Sequence, residues 1–255
     1  MINLIRLKTL TWKETHRFLK VWLQTVMSPV VIAIMYFAVF GGALGSRIPE
    51  IAGVPYAIFI IPGLVLLQST TNAFMNPSSS LIISKYSGSI SDLLLPPLST
   101  LEKVLGFAFG GIIRGMMVSI LIFITAGVFT GKFFPDHWLG LFGMLFIANG
   151  IFSLLGTLVG IWAKNFDQTA GFSTFVLTPM GFLGAIFYNL EMLPPMAQTI
   201  SKFNPFFYLA DGLRWSFLSV AEVAPLISFG ISGGILLVLF ILNYWAFATG
   251  WRLKV

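Results

Sequence analysis

The chain is 255 residues long, 57% hydrophobic and only 9% charged, with a net charge of +6. Soluble domains carry roughly 25% charged residues, so this composition excludes a soluble protein. Because the sequence contains no cysteine, disulfides, thiolate metal sites and a cysteine nucleophile are excluded as well. The positive charges flank apolar runs, which makes anionic membrane lipid the expected partner and argues against nucleic acid.

Uncharged runs set the fold class. A helix needs about 20 apolar residues to cross a bilayer, and six runs have this character: 21–46, 51–84, 115–131 (extended backward by the apolar 104–113), 137–163, 168–190 and 223–251. We therefore predict an all-α membrane protein with six transmembrane helices in a single domain, 1–255.

Residues 2–24 have the pattern of an amphipathic interface helix. Trp12 and Trp22 fall on an apolar face, and the basic residues recur at helical spacing on another face: Arg6, Lys13, Arg17 and Lys20. We expect such a helix to lie along the membrane surface with its tryptophans at headgroup depth. Two interpretations stay open, a plain surface anchor or a helix whose basic face also contacts a cytosolic subunit.

The first two spans are predicted at 25–44 and from residue 56 to at least 76, joined by a short outer loop. Pro77 either ends or kinks the second span, since proline cannot donate the next helical hydrogen bond. We favour a kink because residues 81–83 remain apolar.

The segment 77–103 carries two helix-start signals in tandem. Ser89 and Asp92 form one capping pattern, and Ser99 and Glu102 form a second that opens the third span. Pro96-Pro97 would stop the first of these helices after residue 95. Its exposed leucines suit either an interfacial helix in lipid headgroups or a docking surface for a cytosolic partner.

Spans three, four and five are predicted at 101–130, 138–163 and 169–187, the last with Pro179 at its middle. Arg114 is the only charged residue that lies well inside a predicted span. Since a charge in hydrocarbon is costly, it should face the bundle interior and bond to Gln68, Asn72 or Asn149. Its role is either contact with an anionic substrate or gate, or a structural hydrogen-bond hub.

Residues 188–225 are too polar to cross the membrane, and we predict two short helices, 194–203 and 206–220, hinged at Asn204-Pro205. Their aromatic residues suit an interface or a half-inserted hairpin buried against protein. Asp211 and Arg214, three apart on a helix, are expected to pair with each other. The last span follows at 226–248.

Orientation follows from charge, because cytoplasmic loops hold excess Lys and Arg. These residues concentrate on the side of the N terminus. Both termini are therefore predicted to be cytoplasmic.

The sequence lacks the signatures of a catalyst. Gly131-Lys132 is followed by Phe133, so it is not a phosphate loop. His16 and His137 are isolated from acidic clusters and lie outside the spans, which argues against a metal site or an intramembrane hydrolase. We expect no enzyme activity and no cofactor in this chain.

Two stretches resemble the ABC-2 type permease family, the membrane subunits of bacterial ABC exporters. Residues 91–99 with Leu101-Glu102 resemble the coupling helix of that family, apart from Pro96, where the family often has Ala. Residues 203–214, FNPFFYLADGLR, resemble the family's stretch before the last span. The resemblance extends over essentially the whole chain.

The resemblance implies a permease in the bacterial inner membrane that works as a homodimer, or with a similar permease, on cytosolic ATP-binding subunits that bind ATP and Mg²⁺. It assigns coupling to Ser89, Ile90, Ser91, Asp92, Leu93, Leu94, Leu95 and Pro96. Candidates for the translocation path are Tyr36, Phe37, Phe40, Gln68, Asn72 and Arg114. The extracytoplasmic hairpin would use Asn204, Pro205, Tyr208, Asp211 and Arg214. The implied cargo is an amphiphile, glycan, lipid or drug-like molecule.

Two rival functions remain, an ATPase-independent secondary transporter and a non-transporting membrane scaffold. A secondary transporter usually has internal repeats and acidic residues at mid-membrane. The sequence has no clear repeat, and no Asp or Glu lies at the middle of a predicted span. The pattern therefore favours the exporter.

Overall fold

The computed structural model describes residues 3–45, 50–90 and 98–253. Most of this chain is helical. The helices are α1 (Leu4–Leu19), α2 (Ser28–Tyr36), α3 (Tyr56–Phe59), α4 (Ile61–Tyr86), α5 (Thr100–Thr130), α6 (Trp138–Trp162), α7 (Phe166–Phe172), α8 (Thr178–Phe182), α9 (Pro195–Lys202), α10 (Pro205–Leu218) and α11 (Pro225–Thr249). The π-helical turns are Leu23–Met27, Phe37–Leu44 and Ser173–Leu177, and Leu190–Met192 is a 3₁₀ turn. Strands β1 (Glu50–Ile51) and β2 (Val54–Pro55) form an antiparallel hairpin.

Within the described residues, five helical stretches are long and apolar enough to cross a membrane: Leu23–Gly42, Tyr56–Tyr86, Thr100–Thr130, Trp138–Trp162 and Pro225–Thr249. They coincide with the predicted first, second, third, fourth and last spans. The prediction of an all-α membrane protein is thus confirmed, with five candidate spans in the described residues.

The predicted fifth span is built differently. Helix α7, the π turn Ser173–Leu177 and α8 follow one another but end at Phe182. Beyond it the backbone turns, with Ala185 in the left-handed region at φ +56°. The helical run therefore ends before residue 187, the predicted end of this span. That the fifth predicted span crosses the membrane, which would give six crossings, stays a prediction.

The predicted helix start at Ser99 is present. The Ser99 hydroxyl accepts from the backbone N–H of Glu102, and the Glu102 carboxylate accepts from the backbone N–H of Ser99 at 2.8 Å. This reciprocal capping box opens the 31-residue helix α5. Pro77 lies inside α4, which continues to Tyr86, so proline does not end the second span.

Close packing of small residues holds α4 against both α5 and α6. A methyl group built on Gly111 of α5 would lie 2.7 Å from the Ala73 carbonyl oxygen of α4. One built on Gly160 of α6 would lie 2.9 Å from Ser78 Cα of the same helix. Because glycine has no side chain, the backbones approach closely on both sides of α4.

Helix α1 runs alongside α5. Methyl groups built on Gly106 and Gly110 would collide with Leu10 and Glu14, and the Arg114 guanidinium lies 5.9 Å from the Phe18 ring centre. Each step is four residues on both helices, so the two axes run side by side in the same direction. Helix α1 therefore packs lengthwise on α5 over Leu10–Phe18, and its placement along the membrane surface stays a prediction.

Candidate functional site

A cleft of about 560 Å³ opens between the end of α1, the start of the first span, α4 and α5. Its polar lining residues are Arg17, Gln24, Thr25, Ser28, Gln68, Thr71, Asn72, Ser79 and Arg114. Its apolar lining residues are Phe18, Val21, Pro29, Ile32, Ile83 and Phe166. The cleft thus brings together Gln68, Asn72 and Arg114, three of the predicted path residues.

Arg114 reaches the cleft from α5. Its Nε and Nη2 donate to Asn72 Oδ1 at 3.2 and 2.9 Å, which confirms the predicted contact with Asn72. Gln68 lines the same cleft, whereas Asn149 is buried elsewhere and donates to the Leu145 carbonyl. Among the described parts of the chain, no carboxylate lies within 4 Å of Arg114.

Arg17, predicted on the basic surface of α1, points into the bundle. Its Nη2 lies 3.3 Å from the fully buried carboxylate of Glu14 and 3.0 Å from Asn76 Oδ1. Glu14 also accepts from the Ser80 hydroxyl at 2.7 Å. The two residues bind α1 to α4, so Arg17 is not part of an open basic face.

The other three basic residues of the predicted face lie at the surface. Lys13 and Lys20 are exposed. Arg6 is exposed too, close enough to Glu102 to interact with it electrostatically. The apolar face of α1 is also open, with Trp12 62% exposed, as suits a lipid contact.

The aromatic path candidates lie apart from the cleft, toward the other end of the first span. Phe40 stacks on Phe187 with ring centres 4.8 Å apart, and Tyr36 lies 5.9 Å from the same ring. Phe37 faces a different way and stacks on Phe129. The structure therefore divides the predicted path residues into a polar cleft and an aromatic cluster.

The proposed coupling segment is described only at its edges. Residues Ser91 to Pro96 lie outside the described residues. Before them, the Ser89 hydroxyl lies 2.7 Å from that of Ser87, and helical conformation resumes at Ile90. Ile90 is buried in an apolar cluster with Leu10 of α1 and Val104 of α5, against which Leu98 also packs.

Two basic side chains bind backbone carbonyls at the same end of the bundle. Lys85 at the end of α4 donates to the Ala163 carbonyl at 2.9 Å, and Arg252 beyond α11 donates to the Trp162 carbonyl at 3.3 Å. Cations bind well there because the last carbonyls of a helix carry partial negative charge. Both side chains therefore fasten their helices to the end of α6.

The predicted helix–hinge–helix at 188–225 is present as α9 and α10. Asn204 caps α10 by accepting from the Phe206 N–H, Pro205 occupies the first turn, and the Tyr208 hydroxyl donates to the Lys202 carbonyl. Helix α10 is largely buried against α4, α6 and α11. The hairpin is thus packed against protein.

The predicted Asp211–Arg214 pair is wrong. Arg214 forms its ion pair with Glu222, at 3.3 Å, and also donates to the Ala185 carbonyl. Asp211 instead accepts from the Glu222 N–H at 2.6 Å and from the Ser228 hydroxyl at 2.9 Å. The physical reason is that the loop after α10 folds back and brings Glu222 closer than one helical turn allows.

Burial sets the charge balance of this network. Desolvation raises the pKa of Asp211, against the lowering effect of its hydrogen bonds. Desolvation also raises the pKa of Glu222, and the Arg214 guanidinium opposes it. Burial lowers the pKa of Arg214 itself. Burial therefore opposes the charged form of each of the three groups.

Sequence reasoning missed Glu14 and Glu222. For Glu14 a signal exists, because an acid three residues before Arg17 on a helix predicts a pair. Glu222 lies in a loop and has no local pattern that points to Arg214.

Within the described residues, no group of three His, Cys, Asp or Glu side chains is arranged to hold a metal ion. The cleft is lined by two arginines, neutral polar side chains and apolar side chains.

Comparison with known proteins places the chain. Residues 5–218 match the family model of the ABC-2 type transporter. The inner membrane transport permease YadH of Escherichia coli K12 is 38% identical over 94% of this chain and 92% of its own length. The daunorubicin resistance ABC transporter permease protein DrrB1 of Streptomyces coeruleorubidus is 24% identical, covering 75% and 66%. Nodulation protein J of Rhizobium leguminosarum bv. viciae is 23% identical, covering 80% and 77%. This chain is a multi-pass inner-membrane protein that belongs to the ABC-2 type transporter family.

Proposed function

We propose that the chain is the permease subunit of an ATP-driven ABC exporter. Two copies, or this chain and a similar permease, form the translocation path, and separate cytosolic subunits bind and hydrolyse ATP with Mg²⁺. The cargo is an amphiphilic, lipid, glycan or drug-like molecule. The drug-resistance permease among the relatives supports a drug-like cargo.

The anchoring of the coupling segment is the observation that carries this proposal. Ile90 and Leu98, which flank the segment, pack with Leu10 of α1 and Val104 of α5. Phe247 of α11 and Leu253 belong to the same cluster. A push on residues 91–97 would therefore act on three helices through one apolar contact.

Sidedness is part of the proposal. The Ile90 cluster, Lys85 and Arg252 bring the N-terminal helix, the end of α4 and the end of α11 to one end of the bundle. The positive charge at this end supports a cytoplasmic location for both termini.

The first span offers a surface for the second copy. Val31, Met35 and Val39 lie four apart on one face and are 51%, 65% and 53% exposed. The π turns Phe37–Leu44 and Ser173–Leu177 occur in the first span and in the helix after α6, and such turns are frequent at functional sites. We propose that these two helices line the path together with the second span.

Co-purification tests the proposal. The chain is co-expressed with a candidate ABC ATPase from the same genome, and ATPase retention and activity are measured. Leu94→Asp should abolish retention, because it puts a charge into the run of three leucines at 93–95. Leu139→Asp, at a 92% exposed position on α6, is the matched control and should leave retention unchanged. Wild-type chain that never retains the ATPase, or equal retention by Leu94→Asp, would overturn the exporter and favour a secondary transporter or a scaffold.

A further inference from the structure

The charge balance of the cleft is uneven. Among the described residues that line it, the charged ones are Arg17 and Arg114, both positive. Glu14 neutralises Arg17 from within the bundle. Arg114 has the neutral oxygen of Asn72 as its hydrogen-bond partner. One positive charge therefore faces the cleft without a counter-ion from the described chain.

The depth of Arg114 is fixed by α5. Arg114 lies 16 residues before Thr130, the last residue of the helix, which corresponds to about 24 Å at 1.5 Å per residue. The hydrocarbon layer is about 30 Å thick. This step depends on the orientation of the proposed function, which puts Thr130 at the outer boundary of the hydrocarbon. Arg114 then lies near the inner boundary, where lipid headgroups begin.

The lining matches a molecule with two unlike ends. Gln68, Ser28 and Thr71 line the same cleft as Arg114 with polar side chains, and Phe18 and Ile32 line it with apolar ones. A volume of about 560 Å³ is enough for a headgroup and part of a chain. An arginine guanidinium presents a fork of donors that fits a phosphate or carboxylate.

We propose that this cleft binds the phosphate or carboxylate headgroup of an anionic amphiphile, with Arg114 as its counter-ion and the apolar chain against Phe18 and Ile32. The bound molecule is either cargo or a membrane phospholipid, since both offer the same chemistry. An uncompensated charge at this depth is costly, and the anion removes that cost. Arg17, tied to Glu14 and α4, shapes the cleft and contributes less to binding.

The test uses the full chain alone, in dodecyl maltoside micelles, and follows thermal unfolding. Dodecyl phosphate added to the micelles should raise the midpoint, because a ligand that binds the folded state stabilises it. Dodecylphosphocholine, a zwitterion with the same chain, and inorganic phosphate should have at most a tenth of this effect at equal concentration. Equal stabilisation by either one would overturn the proposal.

Variants locate the site. Arg114→Gln should raise the dodecyl phosphate concentration for half-maximal stabilisation at least tenfold, and Arg114→Lys less. Lys13→Gln removes one charge from exposed α1 and should leave it unchanged. If Arg114→Gln does not fold, Thr71→Phe fills the cleft while keeping Arg114 and should abolish the stabilisation. Unchanged response in the Arg114→Gln or Thr71→Phe variant, or an equal loss in Lys13→Gln, would overturn the proposal.

The source of the anion is separated by competition. If phosphatidylglycerol displaces dodecyl phosphate at equal mole fraction, a membrane phospholipid occupies the cleft. If phosphatidylglycerol does not displace it, the cleft binds a cargo whose apolar part is narrower than the two acyl chains of a phospholipid. Both results support an anionic amphiphile, and since neither measurement includes an ATPase, failure of the exporter proposal would be seen separately.

Discussion

The guanidinium of Arg214 lies 4.2 Å from the ring centre of Phe59 and stacks on it. Arg214 is 1% exposed, and it joins α10 to the segment that leads into α4. The same side chain pairs with Glu222 and donates to Ala185, so one residue connects three parts of the chain. Such a connection holds the hairpin in place before the last span.

Replacing Arg214 by methionine should destabilise the protein strongly. The change leaves Glu222 without the cation that it pairs with, and removing one partner of a buried pair costs about 3–5 kcal/mol. Thermal unfolding in detergent measures the loss. Lys202→Met, on the exposed side of the same hairpin, is the control and should have little effect. If the unpaired charge causes the loss, the double variant Arg214→Met/Glu222→Gln should recover part of it.

The stability should also depend on pH through Asp211. Its pKa is raised in the folded state by burial. A raised carboxyl pKa contributes stability below the unfolded value, about 3.9, and this is lost as pH rises through the folded value. The unfolding midpoint of the wild type minus that of Asp211→Asn should therefore decrease as pH rises above about 4. A flat or increasing difference would contradict the pKa shift.

Patterns confined to one helix or turn were predictable from the sequence. The capping box at Ser99, the hinge at Asn204-Pro205 and the apolar length of five spans are local signals, and the structure has each of them. Local signals suffice because a cap or a turn is stabilised by residues within a few positions of it.

Apart from the contact between Arg114 and Asn72, relations between distant segments were not predictable. The pattern of α1 is that of a surface helix, but Gly106 and Gly110 on α5 create room for Leu10 and Glu14, so the helix docks lengthwise. Arg214 pairs with Glu222 because the loop after α10 folds back toward the helix. The helix α8 ends at Phe182, and shortly after it Ala185 has a left-handed backbone conformation. Since non-glycine residues rarely adopt this conformation, the sequence gives no sign of the turn.

The docking of α1 predicts a glycine effect. Gly110→Ala places a methyl group 2.6 Å from Glu14 Cβ, so α1 must shift, at a cost of about 1–3 kcal/mol. Gly234→Ala in α11 meets nothing within 4 Å and should be neutral or stabilising, as alanine favours helix. Thermal unfolding of both variants makes the comparison, and an equal response would contradict the lengthwise packing.

The anchor of the coupling segment predicts a second packing effect. Ile90 is 6% exposed, and Ile90→Ala should cost about 2–4 kcal/mol through the cavity it leaves. Ile83→Ala, at a 46% exposed position on α4, should cost much less. The free energy of unfolding from urea titration in detergent gives both values. Equal losses would mean that the segment is not held by this cluster.

Sidedness can be measured directly because the chain contains no cysteine. Lys202→Cys lies in the hairpin, and Lys164→Cys lies in the turn after α6, beside the carbonyls that Lys85 and Arg252 contact. Both positions are exposed, so each thiol is open to reagent. In intact cells, a membrane-impermeant maleimide should label Lys202→Cys and leave Lys164→Cys unlabelled until the cells are lysed. The reverse pattern would place Arg114 near the outer leaflet, and both the ATPase docking side and the depth assigned to the cleft would then be wrong.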